Sequence, residues 1–180
     1  SRRFGALRSL TLRRIGGVSV GWQRWFLDER RGGMQIFDRH IHDTDAVQWM
    51  LGLPESVSGF GYTRDAGTEG GINHSVTRYA YPGNLLVCAE GSADLPKRYP
   101  FTSAYLAMFE TAAVEYSSRY APTLSVYTDD AVEHPVLPEP MADIASGLNI
   151  AAAGPYYREQ IYFFDCLRRG VKPMAVAPAS

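Results

Sequence analysis

From Leu10 to Leu27 the chain reads LTLRRIGGVSVGWQRWFL, with β-branched and aromatic residues loosely alternating with polar ones and a break at Gly16-Gly17. That alternation predicts a strand. Asp28 to Arg31 is a polar loop, and Gly32-Gly33 lets the backbone turn sharply. The period then changes. Phe37, Ile41, Thr44, Val47 and Leu51 fall at spacings of three and four, which predicts a helix with these residues as its apolar stripe. Asp38, His42, Asp45 and Trp49 share the same spacing on a neighbouring face, while His40 and Asp43 point elsewhere. Gly52 and Pro54 form a helix stop.

A β-rich stretch follows. VSGFGYTR alternates from Val57, and HSVTRYAY and LLVCAEGSA flank Pro82-Gly83-Asn84 as a hairpin. FTSAYLAMFET and AAVEYSSR predict a further strand pair, and TLSVYTDD another strand. Gly67 to Gly71 reads as a mobile loop, and His134 to Pro140 as an extended, Pro-rich surface connection. The last element, GPYYREQIYFFDCLRRGVKP, predicts a helix. Pro155 suits its first turn, Tyr157, Ile161, Phe164 and Leu167 form a stripe, and Gly170 and Pro173 end it. About six consecutive strands with short turns, set between two helices, predict an α+β fold. Its sheet is largely antiparallel and open-faced, with helices packed on one face. The other face keeps aromatics, so homo-oligomer formation through it is expected.

Length and composition narrow the function classes. The 180 residues suit a single domain spanning 1–180, large enough to bury a core. A net charge of −1 gives no electrostatic case for nucleic acid or an anionic membrane as partner. No run of about 18 apolar residues suggests a membrane span. Cys88 and Cys166 lie in apolar surroundings, away from any CxxC pair, and read as buried free thiols. They fit a reducing compartment, and a cytoplasmic location is expected. The chain starts at Ser1 without an initiator Met and shows no signal-peptide pattern, which suggests a fragment or a processed product.

The chemistry concentrates in GGMQIFDRHIHDTDAVQWMLG, residues 32–52. A metal site built from Asp38, His40, His42 and Asp43 is disfavoured, because positions two apart on a helix diverge. Trp22 and Trp25 could line a sugar site, but sheet packing is the favoured reading for both. No G-x-G-x-x-G dinucleotide fingerprint occurs anywhere in the sequence.

This segment pairs glycines with Asp38, His42 four residues on, Asp45, Trp49 and a closing Gly52. The late helix carries Glu159, Phe163, Cys166, Leu167, Gly170 and Pro173. In order and separation these resemble the C-terminal, substrate-side domain of the Gfo/Idh/MocA family of NAD(P)-dependent oxidoreductases. The resemblance covers nearly the whole chain. It implies the α+β layout of dihydrodipicolinate reductase and glyceraldehyde-3-phosphate dehydrogenase C-terminal domains. It also implies a larger oxidoreductase, whose Rossmann domain binds NAD or NADP and supplies a Lys in a Glu-Lys-Pro motif. Val171-Lys172-Pro173 is not its equivalent.

Read that way, His42 and Asp38 are the catalytic candidates, and His40, Asp45 and Trp22 the substrate-binding ones, for a sugar, inositol or related polyol. His40 stands where the family often has a small residue, so it would crowd or extend the pocket. The chain by itself is expected to be inactive. A non-catalytic binding module, or an NAD-dependent glycoside hydrolase of the same family, are the alternatives.

Overall fold

The computed structural model describes residues 2–18, 22–64, 71–137 and 154–174. The expected loop residues 67–70 and 138–140 lie outside them. The chain forms two compact units, Ser1–Pro135 and Val136–Ser180.

In the first unit, strand β1 spans Leu7–Gly17 and ends at the glycine pair. Here the structure departs from the expected strand to Leu27. Residues Trp22–Leu27 form 3-10 turns, and Glu29–Gly32 form a single helical turn, α1. The Asp28 carboxylate accepts the backbone N–H groups of Arg30 and Arg31, which caps that turn and closes off extended pairing. A π-helical turn, Ile36–His40, then runs directly into helix α2, Ile41–Leu51. Gly52, at φ 79°, stops the helix, and its N–H bonds to the Gln48 carbonyl.

The strands that follow are β2 (Ser56–Tyr62), β3 (His74–Ala80), β4 (Leu86–Leu95), β5 (Thr102–Phe109), β6 (Ala113–Ser117), β7 (Leu124–Tyr127) and β8 (Val132–Glu133). They form one sheet in the order β2-β3-β4-β1-β5-β6-β7-β8. Every neighbouring pair is antiparallel except β1 with β4. The expected α+β fold with a largely antiparallel open sheet is therefore present. The first strand, however, inserts at the centre, between two hairpin-built halves, and makes the sheet mixed.

Leu10, Leu12, Tyr79, Val87, Ala89 and Ala107 face α2 and bury Val47 completely. Alternation sends Leu106 and Met108 to the opposite, open face. In the second unit, helix α3 spans Gly154–Arg169 and ends at Gly170, φ 64°. Among the described residues no helix is long and apolar enough to cross a membrane.

The expected apolar stripe of α2 needs correction. Phe37 is 68% exposed and Ile41 46%. The buried line is His40, Asp43 and Val47. Ile41 and Val47 are six residues apart, about 120° around a helix of 3.6 residues per turn. His40 and Val47, seven apart, differ by only about 20°. Val47→Ala is expected to cost about 2 kcal/mol, from two buried methyls and the void they leave, and Ile41→Ala under about 1 kcal/mol. Denaturant midpoints at unchanged m-value measure both, and equal costs would refute this facing of the helix.

Candidate functional site

The candidate site is a helix whose buried side is unusually polar. Gln35, His40 and Asp43 are 1%, 4% and 3% exposed. Strand β3 supplies partners to Gln35, His40 and Thr44, because its α2-facing positions Ser75, Thr77 and Tyr79 each carry a hydroxyl. Gln35 Nε2 donates to Ser75 Oγ at 2.8 Å. His40 Nε2 and Thr77 Oγ1 lie 2.8 Å apart, and Thr44 Oγ1 and Tyr79 Oη 2.7 Å apart. Each rung advances two residues on the strand, about 6.8 Å. Four residues of α-helix advance only about 6.0 Å. The step from Gln35 to His40 is five residues and contains the π turn, where the Ile41 N–H reaches back to the Ile36 carbonyl. Five residues of regular α-helix would turn His40 about 140° away from Gln35. The wider π turn takes up the extra residue and keeps both on the sheet-facing side, and π turns of this kind often mark functional sites.

Asp43 closes the seam. Its Oδ1 accepts from Arg14 Nε at 3.2 Å and Nη2 at 3.0 Å. Burial pushes this carboxyl up, and outweighs the pull of the Arg14 guanidinium. Burial likewise pushes the His40 imidazole down, against a smaller upward pull from Asp43. Gly91 of β4 lies beneath this row. A Cβ there would sit 2.5 Å from Gln35 Oε1 and 2.8 Å from His40 Nδ1, so only glycine leaves both side chains their places.

The Asp38, His42 and Asp45 side chains lie on the side of the segment away from this row. His42 and Asp45 are exposed, and the Asp38 side chain is 30% exposed. Trp49 is 85% exposed. Trp49 also borders a cleft of about 500 Å³ between α2 and strands β1, β5 and β6, whose polar end is Arg14 and Asp43. The structure thus brings Asp38, His42 and Asp45 to the outer side of one helix. His40 lies beneath that helix, with its ring against Thr77. Trp22 stands in the 3-10 segment before the glycine pair, and its side chain is outside the described residues. Gly33 and Met34, at φ 65° and 54°, both take left-handed backbone where the chain enters the helix.

Sequence reasoning missed Gln35, Arg39 and Arg14. Two polar periodicities were the available signal: polar residues at 35, 40 and 44 on the helix, and hydroxyls at 75, 77 and 79 on the strand. Among the described residues no three His, Cys, Asp or Glu side chains converge as a metal-ligand set.

An open, largely antiparallel sheet with a helix on one face defines an α+β domain. The family model of the GFO/IDH/MocA C-terminal domain matches residues 1–115, and the chain belongs to that family. No curated protein matches the sequence. Among solved structures, an oxidoreductase from Agrobacterium radiobacter in complex with NAD+, L-tartaric acid and magnesium is similar at 16% identity and TM-score 0.73, covering 94% of this chain and 49% of that one. Levoglucosan dehydrogenase in complex with NADH and levoglucosan is similar at 14% identity and TM-score 0.69, covering 98% and 52%. UDP-N-acetylglucosamine 3-dehydrogenase from Acidithiobacillus ferrooxidans is similar at 18% identity and TM-score 0.59, covering 94% and 47%. These likenesses show the fold, and the chain spans about half the length of each structure.

His40 makes the domain's stability pH-dependent. The folded state holds its imidazole neutral, whereas the unfolded chain takes up a proton near the ordinary value of 6.5. The stabilisation is therefore present above about pH 6.5 and is lost as pH falls below it. Tm is expected to drop between pH 7.5 and 5.5, and His40→Gln to flatten that slope. Equal slopes in variant and wild type would refute it.

Proposed function

We propose that this chain is the substrate-binding domain of an NAD(P)-dependent oxidoreductase that oxidises a hydroxyl of a sugar, inositol or related polyol. The observation that carries this reading is the division of labour on one helix. On its sheet side Gln35 and His40 bond to Ser75 and Thr77 of β3 and Asp43 to Arg14 of β1, while Asp38, His42 and Asp45 lie on the other side. The chain itself offers a dinucleotide no glycine-rich phosphate cradle. A separate Rossmann domain would hold NAD or NADP, and the domain alone is inactive on this reading. When bound, the nicotinamide supplies the hydride acceptor.

His42 takes the hydroxyl proton as the carbon–hydrogen bond breaks, since imidazole is the side chain best suited to proton transfer near neutral pH. Asp38 accepts a hydrogen bond from the same or a neighbouring hydroxyl and keeps the alcohol oriented. Asp45 and the exposed Trp49 face extend the wall on which the substrate rests. Asp38 and Asp45 are acidic side chains, which favours a neutral polyol over an anionic substrate.

In the full-length protein, His42→Ala is expected to lower turnover about 10²-fold or more, within the range of general acid–base catalysis. A substrate panel with both dinucleotides measures this, and an undiminished variant would remove His42 from the mechanism.

The open face of the sheet supports self-association. Phe60, Val76, Leu106, Met108 and Tyr127 are 85, 42, 39, 48 and 39% exposed on it. Sedimentation is expected to show an oligomer, and Leu106→Asp to shift it toward monomer. A monomer at high concentration would refute this use of the face.

A further inference from the structure

Arg39 follows Asp38 directly and sits within the π turn. Its side chain is only 11% exposed. Nη1 donates to the Ser92 carbonyl of β4 at 2.9 Å, and Nη2 to the Gly17 carbonyl at the end of β1 at 3.0 Å. Nε lies 3.7 Å from Asp38 Oδ2. The Phe101 ring lies 5.8 Å from the guanidinium carbon. One planar fork therefore reaches the last residue of β1, the C-terminal part of β4 and the partly exposed Asp38 carboxylate. Burying a guanidinium is costly, and burial works against its charge here, with Asp38 the compensating group. Room is left by Gly16, where a Cβ would sit 3.1 Å from Nη1 and 3.3 Å from the Phe101 ring.

We propose that Arg39 is a positioning residue of this site: it clamps the π turn to the ends of β1 and β4 and sets the orientation of the Asp38 carboxylate. This rests on the role given to Asp38 and His42 above, but the clamp has its own structural readout. Lysine cannot replace Arg39, because a single ammonium does not span two carbonyls and a carboxylate at these separations. Gly16→Ala perturbs the same guanidinium without touching the helix.

The test uses Arg39→Met, Arg39→Lys and Gly16→Ala in the full-length protein. Hydrogen–deuterium exchange, crystal structures and steady-state kinetics with the polyol panel are measured on each. Exchange at residues 36–42 is expected to quicken about tenfold or more, while residues 47–51 and the sheet stay within about twofold of wild type. The Asp38 carboxylate is expected to move by about 1 Å, and kcat to fall about 10²-fold, with the dinucleotide KM unchanged and no rescue by lysine.

The proposal is overturned if exchange at 36–42 stays at wild-type rates, or if loosening spreads evenly through the domain as for a residue that only stabilises. It is also overturned if the carboxylate stays in place, or if kcat holds while the turn loosens. Should the wild-type protein oxidise no polyol with either dinucleotide, the functional reading fails, and exchange and crystallography still decide the clamp.

Discussion

The seam between the helical segment and strand β3 is polar and buried, and most of what is specific to this domain depends on it. Three hydrogen bonds, Gln35 to Ser75, His40 to Thr77 and Thr44 to Tyr79, run in register along helix and strand. Each contributes only about 1 kcal/mol net, but an unpaired buried group would cost about 1–3 kcal/mol. Slipping the helix by one residue would break all three at once. The seam therefore acts as a register lock, a role that an apolar seam of interchangeable side chains fills less strictly. The five-residue step through the π turn and the missing Cβ at Gly91 are its geometric conditions.

That lock decides what the outer face presents. With His40 and Asp43 committed to the sheet and to Arg14, the helix can only turn Asp38, His42, Asp45 and Trp49 away from the core. Phe37 and Ile41 are carried out with them, which gives the exposed Asp/His set an apolar border. Under the proposed function, that apolar border suits a surface completed by a second wall, from which water is then expelled. Arg39 and Arg14 anchor this arrangement from below, one at the ends of the central strands and one on β1 itself.

The sheet has a similar two-sided logic. Its α2-facing side holds Leu10, Leu12, Val87 and Ala89 against Val47. Its other side keeps large apolar residues in view, from Phe60 on β2 to Tyr127 on β7. The parallel β1–β4 pair joins the two hairpin-built halves and places Gly17 and Ser92 at neighbouring strand ends, within reach of one guanidinium.

Local pattern alone determined a good deal of this. The period-two stretches from Val57 to Tyr127 specified strands, because a half-buried strand must alternate. Gly52, Pro82-Gly83-Asn84 and Gly170 marked where elements stop, because the left-handed backbone found at Gly52, Gly83 and Gly170 favours glycine. The spacing of Asp38, His42 and Asp45 specified one helical face, because 3.6 residues per turn is a local property. Tertiary structure decided the rest. Nothing local says that β1 enters the centre of the sheet, since its partners lie 77 to 102 residues away in sequence. Nothing local says that a histidine and an aspartate, rather than Phe37 and Ile41, face the core. Hydrophobic periodicity assumes that buried means apolar. That assumption fails where a strand from elsewhere brings a matching row of hydroxyls, and only the folded chain brings the two rows together.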